Sequence, residues 1–352
     1  MTPERKPVVA LTFGDPAGIG PELIAKLVAR GDPVRQATAV VVGDRWVWDD
    51  GQRVAGTRTA LHEIASIAEA RTREKPGAPF FLPIDTVTPH DVRRATATAG
   101  GGASVLRALA ICLDAARAGQ IDAICFAPLN KLAMKQGGLA FEDELHFFAD
   151  YLGVRTYFCE LNVLDPDGRG TGGLWTTRVT SHIPLRDVAA ALSRDRIKDA
   201  ARLLYRALEA AGVGRPRVAV AALNPHAGEG GTCGREEIDI IEPAVREARA
   251  EGLPMDGPFP ADTIFLRARA GLYDGILTMY HDQGQIAIKL MGFERGVTVQ
   301  GGLPVPITTP AHGTAFDIAG QNKAGVEALT RAFAIACRMG ASSRAAGTVR
   351  AP

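Results

Sequence analysis

Cysteine is scarce in this 352-residue chain, and its few copies are scattered. The five cysteines form no C-x-x-C pair and no regular spacing: Cys112, Cys125, Cys159, Cys233 and Cys337. A cysteine-rich structural zinc site needs closely spaced cysteines, so that class is excluded. An odd number of scattered thiols in a long chain is typical of reduced cysteines, and we expect a cytoplasmic protein.

The sequence also lacks an excess of charge of either sign and lacks a long apolar run. Its 40 basic and 39 acidic residues leave a formal net charge of +1. A protein that binds nucleic acid through its phosphates normally has a basic surface, so we expect no nucleic-acid partner. No stretch approaches about 18 consecutive apolar residues, which predicts no membrane span. The apolar run at 8–13 is short and ends in a Gly-Asp-Pro turn, unlike a signal peptide.

What the sequence does contain is apolar material in short, separate runs. Hydrophobic residues make up 46% of the chain, enough for two domain cores. β-Branched runs such as 8–13 and 38–44 alternate with amphipathic stretches such as 106–118. The runs are uniformly apolar, which is typical of parallel strands that are buried on both faces. The sequence therefore predicts a two-domain α/β protein with parallel or mixed sheets.

Some segments between these runs also carry predictions. A helix is predicted around residues 60–65, after the apolar run at 38–44. The segments 163–173 and 296–313 are rich in glycine, proline, aspartate or threonine, and we expect both to be long loops. Loops of more than about 12 residues are uncommon inside a compact domain and are often functional. The second segment is the better candidate for a functional loop.

Three of the seven histidines share an unusual setting. His182 in TSHIPL, His226 in LNPHAGEGG and His281 in MYHDQG each follow a predicted strand and precede a turn. Open α/β sheets bind ligands at the carboxyl ends of their strands. Three neutral imidazoles with one open position hold catalytic divalent metals such as zinc. Each histidine taken alone is better interpreted as a hydrogen-bonded turn residue, and only the three equivalent positions together make a metal site an equally good interpretation. No HExxH motif decides between the two interpretations.

Two charged residues lie within apolar segments. Lys289 in IAIKLMGF either extends outward to solvent or faces a negative partner. Asp262 in FPADTIF is either a helix cap or an acid of the site.

Two glycine-containing turns are further candidates for ligand binding. GDPAGIGPE at 14–22 lacks the GxGxxG pattern and is interrupted by Pro21, so we interpret it as a structural turn. AHGTAFDIAG at 311–320 is a backbone-rich turn whose Thr314 and Asp317 suit an adenosine ligand.

Together these motifs resemble the 4-hydroxythreonine-4-phosphate dehydrogenase family of vitamin B6 synthesis. The matching segments follow one another along nearly the whole chain: GDPAGIGPE, APLNK (127–131), TSHIPL, LNPHAGEGG, PADT (260–263), YHDQG and HGTA (312–315). The resemblance implies a fold similar to isocitrate and isopropylmalate dehydrogenases, with an interdomain cleft at a homodimer interface. We expect residues 1–128 with 301–352 to form the cofactor-binding domain, and 129–300 to form the domain for substrate, metal and dimerisation.

The resemblance also assigns roles to single residues. His182, His226 and His281 match the divalent-metal ligands, one of them contributed by the partner subunit. Zinc is the expected metal, with cobalt, magnesium or manganese as alternatives. The expected NAD contacts form one turn: His312, Gly313, Thr314, Ala315 and Asp317. The candidate catalytic residues are Lys289 (also a substrate ligand), Asp262 as proton acceptor, and Lys131.

The substrate half of the site departs from the family pattern. The family's Gly-His-Thr-Glu motif corresponds to residues 143–146, and the family's Asn and Arg correspond to Thr298 and Ile307. Replacing an arginine by isoleucine removes both the charge and the forked donor that bind an anion. The resulting candidate substrate contacts are Glu144, Leu145, Lys289, Thr298 and Ile307. The sequence leaves open whether His146 also joins the site.

An intact metal half beside an altered phosphate half suggests a changed substrate. The expected reaction is an NAD- and metal-dependent oxidation, with decarboxylation, of a small non-phosphorylated hydroxy acid. A dihydrodiol carboxylate is an example, because the family includes terephthalate dihydrodiol dehydrogenase. One alternative is authentic 4-hydroxythreonine-4-phosphate dehydrogenase, with the phosphate held by other residues. The other is a non-catalytic metal-binding protein, which the intact HGTA turn disfavours.

Overall fold

The computed structural model describes residues 6–73, 77–164, 173–292 and 295–345, and the chain forms two compact units. The first unit extends to Val154 and resumes at Leu303, and the second spans Arg155–Gly302. The boundary expected at residue 128 therefore lies inside the first unit, because the segment after it packs on the first core through Phe148. The assignment of cofactor and substrate roles to the two parts stays a prediction.

Strands and helices alternate along the chain. The strands are β1 (Val8–Thr12), β2 (Thr38–Gly43), β3 (His62–Glu63), β4 (Phe80–Pro83), β5 (Ala123–Phe126), β6 (Cys159–Leu164), β7 (Leu174–Arg178), β8 (Val218–Ala221), β9 (Met255–Phe259), β10 (Gly275–Thr278), β11 (Gly296–Gly301) and β12 (Ile307–Pro310). The helices are α1 (Gly20–Ala29), α2 (Asp32–Gln36), α3 (Arg45–Ala55), α4 (Glu69–Thr72), α5 (Ala99–Arg117), α6 (Lys131–Gln136), α7 (Glu144–Tyr151), α8 (Val188–Ala191), α9 (Arg194–Ala210), α10 (Glu242–Ala250), α11 (Ala261–Arg269), α12 (His281–Gly292) and α13 (Glu327–Ala345).

The first unit is built on a parallel sheet with the strand order β3-β4-β2-β1-β5-β12. β1, β2 and β5 are buried along their whole length, as expected for strands covered on both faces. Leu109 and Leu113 of α5 and Phe148 of α7 pack with strand residues Phe126 and Ile307 in one apolar core. Burial of these large side chains is the main contribution to the stability of this unit.

The second unit is built on a mixed sheet with the order β11-β6-β7-β10-β8-β9. β11 and β6 are antiparallel, as are β6 and β7, whereas the pairs from β7 through β10 and β8 to β9 are all parallel. Its core places Ile276 of β10 with Ile264 of α11 and Ile288 of α12. The predicted α/β class with parallel and mixed sheets is confirmed.

Two local predictions were wrong. Residues 60–65 are not helical, because His62 pairs with Phe80 in the edge strand β3, and the helix after β2 is α3 instead. The segment 296–313 is not one long loop, because it contains β11 and β12, whose buried β-branched residues include Val297, Val299 and Ile307. Its many glycines and prolines hid two short strands. Most of the other expected loop, residues 165–172, lies outside the described residues.

α5 is the one helix of the described residues that is long and apolar enough to cross a membrane, judged by length and composition alone. Of the apolar stretch of this helix that is long enough to span a membrane, 56% is buried inside the protein. Leu109, Cys112 and Leu113 of this helix belong to the core of the first unit. Its apolar character is therefore accounted for by core packing.

The turn after β1 carries a buried acid, Asp15, whose relative exposure is 1%. Its main-chain N–H donates to the carbonyl of Pro128 (3.0 Å), and its Oδ1 accepts from the N–H of Ala17 (2.8 Å). Its Oδ2 has no hydrogen-bond partner among the described residues. Burial raises the pKa of Asp15 to about 6, and the bond from Ala17 only partly opposes this effect.

We expect Asp15→Asn to stabilise the protein at pH 8 by about 1–2 kcal/mol and to have little effect at pH 4. The pKa of the folded state is above that of the unfolded chain, so the folded state binds the proton more tightly. The free energy of unfolding therefore falls as the pH rises from about 4 to about 6. The amide cannot ionise, and its oxygen still accepts from Ala17. Urea denaturation at both pH values measures the difference.

Asp44→Asn is the matched control for this experiment. Asp44 is also buried, but its carboxylate accepts hydrogen bonds from the N–H and hydroxyl of Thr86 at 2.8 and 2.6 Å. Loss of a charged acceptor should destabilise this variant at pH 8. An equal loss of stability in both variants would contradict the account of Asp15.

Candidate active site

The three candidate metal-ligating histidines lie at one edge of the second sheet. His182 follows β7, His281 follows β10 and His226 follows β8. β7, β10 and β8 are neighbours and run parallel, so their carboxyl ends meet at the same edge. Residues far apart in sequence are thereby presented by three adjacent strands.

Two of these histidines lie side by side. The ring centroids of His182 and His281 are 5.6 Å apart, with the ring planes tilted by 47°. The Nδ1 atom of His281 is 2.7 Å from Oδ1 of Asp282, a contact that leaves Nε2 as the free ring nitrogen. A carboxylate on one imidazole nitrogen fixes the tautomer and makes the other nitrogen a better metal ligand.

Polar side chains fix the ends of the three strands to one another. The Thr180 hydroxyl donates to the carbonyl of Met279 (2.8 Å), joining the segments that follow β7 and β10. The Gln283 side chain accepts from the N–H of Met279 and donates to the carbonyl of Ala222, both at 2.7 Å. Gln283 thus joins the segments after β10 and β8. Side-chain hydrogen bonds therefore hold together the strand ends that carry the histidines.

His226 lies in a turn with an unusual backbone. Residues 226–230 all have positive φ, with values of 52°, 55°, 77°, 42° and 65° within the 3₁₀ turn Pro225–Gly231. Gly228 and Gly230 adopt this conformation freely, whereas His226, Ala227 and Glu229 do so at a cost of about 1–2 kcal/mol each. The surroundings must therefore hold this turn in place.

The other predicted residues of the second unit take different positions. β9 runs parallel to β8, and α11 begins after it, so Asp262 in the first turn of α11 lies at the same sheet edge. α11 packs against the turn Pro225–Gly231, and the Asp262 side chain makes no capping bond to its helix. Lys289 is exposed in the last turn of α12. Thr298 is half-buried in β11, paired with Asn162 of β6.

The remaining predicted polar contacts belong to the first unit. Lys131 is exposed at the start of α6, and Glu144 is half-buried at the start of α7. Asp143 caps α7: its Oδ1 accepts from the N–H of His146 (3.0 Å) and lies 2.7 Å from His146 Nδ1. Burial raises the pKa of Asp143, but the bonds from His146 and the charges of His146 and Lys131 outweigh it and lower that pKa. His146 therefore serves the helix cap.

Leu145 and Ile307, both expected as substrate contacts, are buried with relative exposures of 4% and 0%. Ile307 pairs with Ile124 in the parallel sheet and belongs to the core of the first unit. Neither side chain presents polar atoms or open surface to a ligand in this structure. Their role as substrate contacts stays a prediction, and their placement gives it no support.

The expected cofactor turn is held by the turn at 14–22. The N–H of Ile19 donates to the carbonyl of Thr314 (3.1 Å), and a Cβ on Gly18 would lie 2.9 Å from both Cβ and O of Thr314. Only a glycine allows this approach. Burial lowers the pKa of His312, with a smaller opposite effect of its contact to the carbonyl of Gly313, so its ring is neutral at pH 7. GDPAGIGPE was expected to be a structural turn, and in the structure this turn supports the HGTA turn.

Ala315 and Asp317 complete that turn. Ala315 has a φ of 42°, and Asp317 is exposed in the 3₁₀ turn Phe316–Ile318. The carbonyl of Asp317 accepts from the Gln321 side chain (2.7 Å). Gly313 is exposed, and a Cβ there would meet no atom within 4 Å. Backbone at Gly313 is therefore open to a ligand.

Comparison with solved structures defines the class of protein. The crystal structure of 4-hydroxythreonine-4-phosphate dehydrogenase from Klebsiella pneumoniae matches with a TM-score of 0.80 and 34% sequence identity. The match covers 96% of this chain and 99% of that one, so the fold is that of an α/β dehydrogenase. The family model described as pyridoxal phosphate biosynthetic protein PdxA matches residues 35–336. The chain belongs to the PdxA family.

Curated relatives agree with this assignment. A protein of Pseudomonas aeruginosa named "Putative 4-hydroxythreonine-4-phosphate dehydrogenase 2" is 50% identical over 342 residues, which cover 97% of this chain and 99% of the relative. D-threonate 4-phosphate dehydrogenase of Pectobacterium atrosepticum is 37% identical and covers 94% of this chain and 99% of its own length. The family resemblance and the predicted enzyme class, a dehydrogenase acting on a CH–OH group, are confirmed.

The expected substrate was wrong. The sequence interpretation favoured a non-phosphorylated acid and decarboxylation, because Thr298 and Ile307 replace family residues. The relatives named above, which match over almost the full chain, are named for phosphorylated substrates, and this supports the alternative interpretation. The replacement at Ile307 was given too much weight, since that side chain lies in the core of the first unit.

We expect Gly18→Ala to weaken NADH binding by at least about tenfold, because the added methyl group would push the Thr314 turn away. Overpacking should also lower the free energy of unfolding by about 1–3 kcal/mol. Fluorescence titration with NADH and urea denaturation measure the two effects. Gly214→Ala is the control, because a Cβ there meets nothing within 4 Å and the backbone is not left-handed. Unchanged NADH affinity in folded Gly18→Ala would contradict the expected role of the turn.

Proposed function

We propose that this enzyme oxidises the CH–OH group of a phosphorylated hydroxy acid, with NAD as the hydride acceptor and a divalent metal bound by His182, His226 and His281. The substrate is 4-hydroxythreonine-4-phosphate or the chemically similar D-threonate 4-phosphate. The relatives named above support the phosphorylated substrate. The observation that carries the proposal is the placement of three histidines at the carboxyl ends of three adjacent parallel strands.

The donor set fits a divalent metal of the zinc type. Imidazole nitrogens suit zinc and related transition metals, and three protein ligands leave a position for substrate. His281 already has its Nδ1 engaged by Asp282, as metal-bound histidines usually do. When bound, the metal would lower the pKa of the substrate hydroxyl as a Lewis acid. Zinc is the first choice, with cobalt, magnesium and manganese as the alternatives.

The chain's own residues supply positioning and proton transfer. Asp262 is exposed at the sheet edge that carries His226, where a carboxylate is suited to accept the hydroxyl proton. Lys289 and Lys131 offer ammonium groups to the anionic parts of the substrate. The turn His312–Asp317 offers open backbone at Gly313 and a neutral imidazole at His312 to NAD. When bound, NAD would supply the hydride acceptor for the substrate carbon.

We expect NADH formation from 4-hydroxythreonine-4-phosphate or D-threonate 4-phosphate, and a kcat/KM at least about 100-fold lower for the same compounds without phosphate. Each charge-assisted bond to a phosphate contributes about 1.5–3 kcal/mol, and two such bonds account for the difference. Initial rates with the zinc-loaded enzyme, followed by NADH absorbance, measure it. Equal kcat/KM with and without phosphate would contradict the proposal.

We further propose that the protein is a homodimer, with α12 contributing to the interface. Ile286 and Leu290 lie one turn apart on this helix and are 60% and 85% exposed. Neighbouring large apolar side chains exposed on one helix face are characteristic of interfaces. A cytoplasmic location is also proposed, since the cysteines of the described residues are free thiols.

We expect Leu290→Asp to shift the protein from dimer to monomer, because a buried unpaired charge is unfavourable in an interface. Light scattering coupled to size-exclusion chromatography gives the mass directly. Leu132→Asp is the control: this residue is also 60% exposed, but it lies in α6 of the first unit. A wild-type mass for both variants would remove α12 from the proposed interface.

A further inference from the structure

The left-handed turn that carries His226 is anchored at its start by one buried acid, Glu237. Glu237 is 3% exposed and begins the π-helical segment Glu237–Ile241. Its Oε1 accepts from the N–H groups of Leu223 and Asn224, both at 2.8 Å. Its Oε2 accepts from the Asn224 side-chain amide at 2.9 Å. The carboxylate therefore binds the two residues through which the chain leaves β8 and enters the turn.

Two nearby glycines lie very close to the Glu237 carboxylate and to its partner Asn224. A Cβ on Gly228 would lie 2.7 Å from Oε2 of Glu237, so the turn closes directly over the acid. A Cβ on Gly234 would lie 2.4 Å from Nδ2 of Asn224. Close approach of backbone to a buried polar group is what glycine permits. The backbone of the turn therefore packs directly against the Glu237 side chain.

The bonds require a carboxylate in particular. Three donors point at its two oxygens, and an ionised carboxylate only accepts. A glutamine of the same shape would place an NH₂ group where an acceptor is needed, and one buried donor would face another. A leucine or alanine would leave the N–H groups of Leu223 and Asn224 unpaired. No neutral side chain of this size satisfies all three donors.

We infer that Glu237 is a positioning residue for the metal centre: it holds residues 223–228 in the conformation that directs the His226 imidazole to the ion. The inference rests on the proposed role of His226 as a ligand. Glu237 acts through backbone and Asn224, and the contacts described for its carboxylate are not to His226 itself. Residues that orient metal ligands typically affect metal affinity about 10–100-fold when replaced.

The test is zinc affinity of the full-length apoenzyme, measured by competition with a chromophoric chelator. We expect Glu237→Gln to weaken zinc binding by about 10–100-fold. Glu236→Gln is the matched control, since Glu236 also accepts from the Asn224 amide (2.6 Å) but makes no bond to the main-chain N–H groups of Leu223 or Asn224. Its affinity should stay within about threefold of the wild type.

NADH affinity is measured on the same samples. The expected NADH turn, His312–Asp317, lies in the first unit, whereas Glu237 lies in the second. A positioning role predicts weaker zinc binding with unchanged NADH binding, whereas general loss of folded protein would lower both. Asn224→Ala removes the side-chain amide that donates to Glu237 Oε2 and to Glu236, but it keeps both main-chain bonds to Glu237 Oε1. It should weaken zinc binding by about three- to tenfold and carries the test if Glu237→Gln does not fold.

His226→Ala separates failure of this inference from failure of the proposed function. Weaker zinc binding by His226→Ala, together with wild-type affinity in folded Glu237→Gln or Asn224→Ala, would overturn the role of Glu237 and leave the metal site standing. Wild-type zinc affinity in His226→Ala would instead overturn the metal site itself. Adding Ala227→Gly to Glu237→Gln should restore part of the zinc affinity, because glycine adopts positive φ without strain.

Discussion

Parallel pairing of β7, β10, β8 and β9 is the constraint on which the candidate site depends. Parallel strands must end on the same side, so residues that follow them are gathered at one edge whatever their distance in sequence. His182, His281, His226 and Asp262 are placed in this way. Sheet hydrogen bonds hold the strands in register. Beyond the strand ends, the Gln283 side chain joins the segments that follow β10 and β8. The chemistry of the edge is thus set by the topology of the sheet.

The parts of the site that could be predicted from the sequence are those identified by their immediate neighbours in the chain. Each histidine could be found because it stands between an apolar run and a turn, and the apolar runs themselves predicted buried parallel strands. Gln283 and Glu237 could not be found in this way. Their importance lies in bonds to Ala222 and to residues 223–224, and these partners meet them only after the sheet has formed. Gln283 has one local signal, since it closely follows His281 in the chain, whereas Glu237 has none.

The substrate prediction failed for a related reason. A pattern of aligned residues shows which side chain has changed, but it does not show where that side chain lies. Ile307 was interpreted as a changed pocket residue, whereas the structure places it in an apolar core. The segment 296–313 was interpreted as a loop because glycine and proline are frequent there, yet β11 and β12 pair with strands elsewhere in the chain. Strand pairing overrides local composition in this segment.

The first unit is assembled from two separate segments of the chain, and this has a consequence for synthesis. β12 pairs with β5, and α13 packs on β12, so the first core includes residues that are synthesised after the second unit. The second unit is one continuous segment, Arg155–Gly302, inserted between the two parts of the first. Chains fold as they emerge, and continuous segments are complete earlier than divided ones. The inserted unit is therefore fully synthesised before the unit that encloses it in sequence. The sheet of β1, β2 and β5 waits for β12, the partner of β5, until the whole second unit has been made.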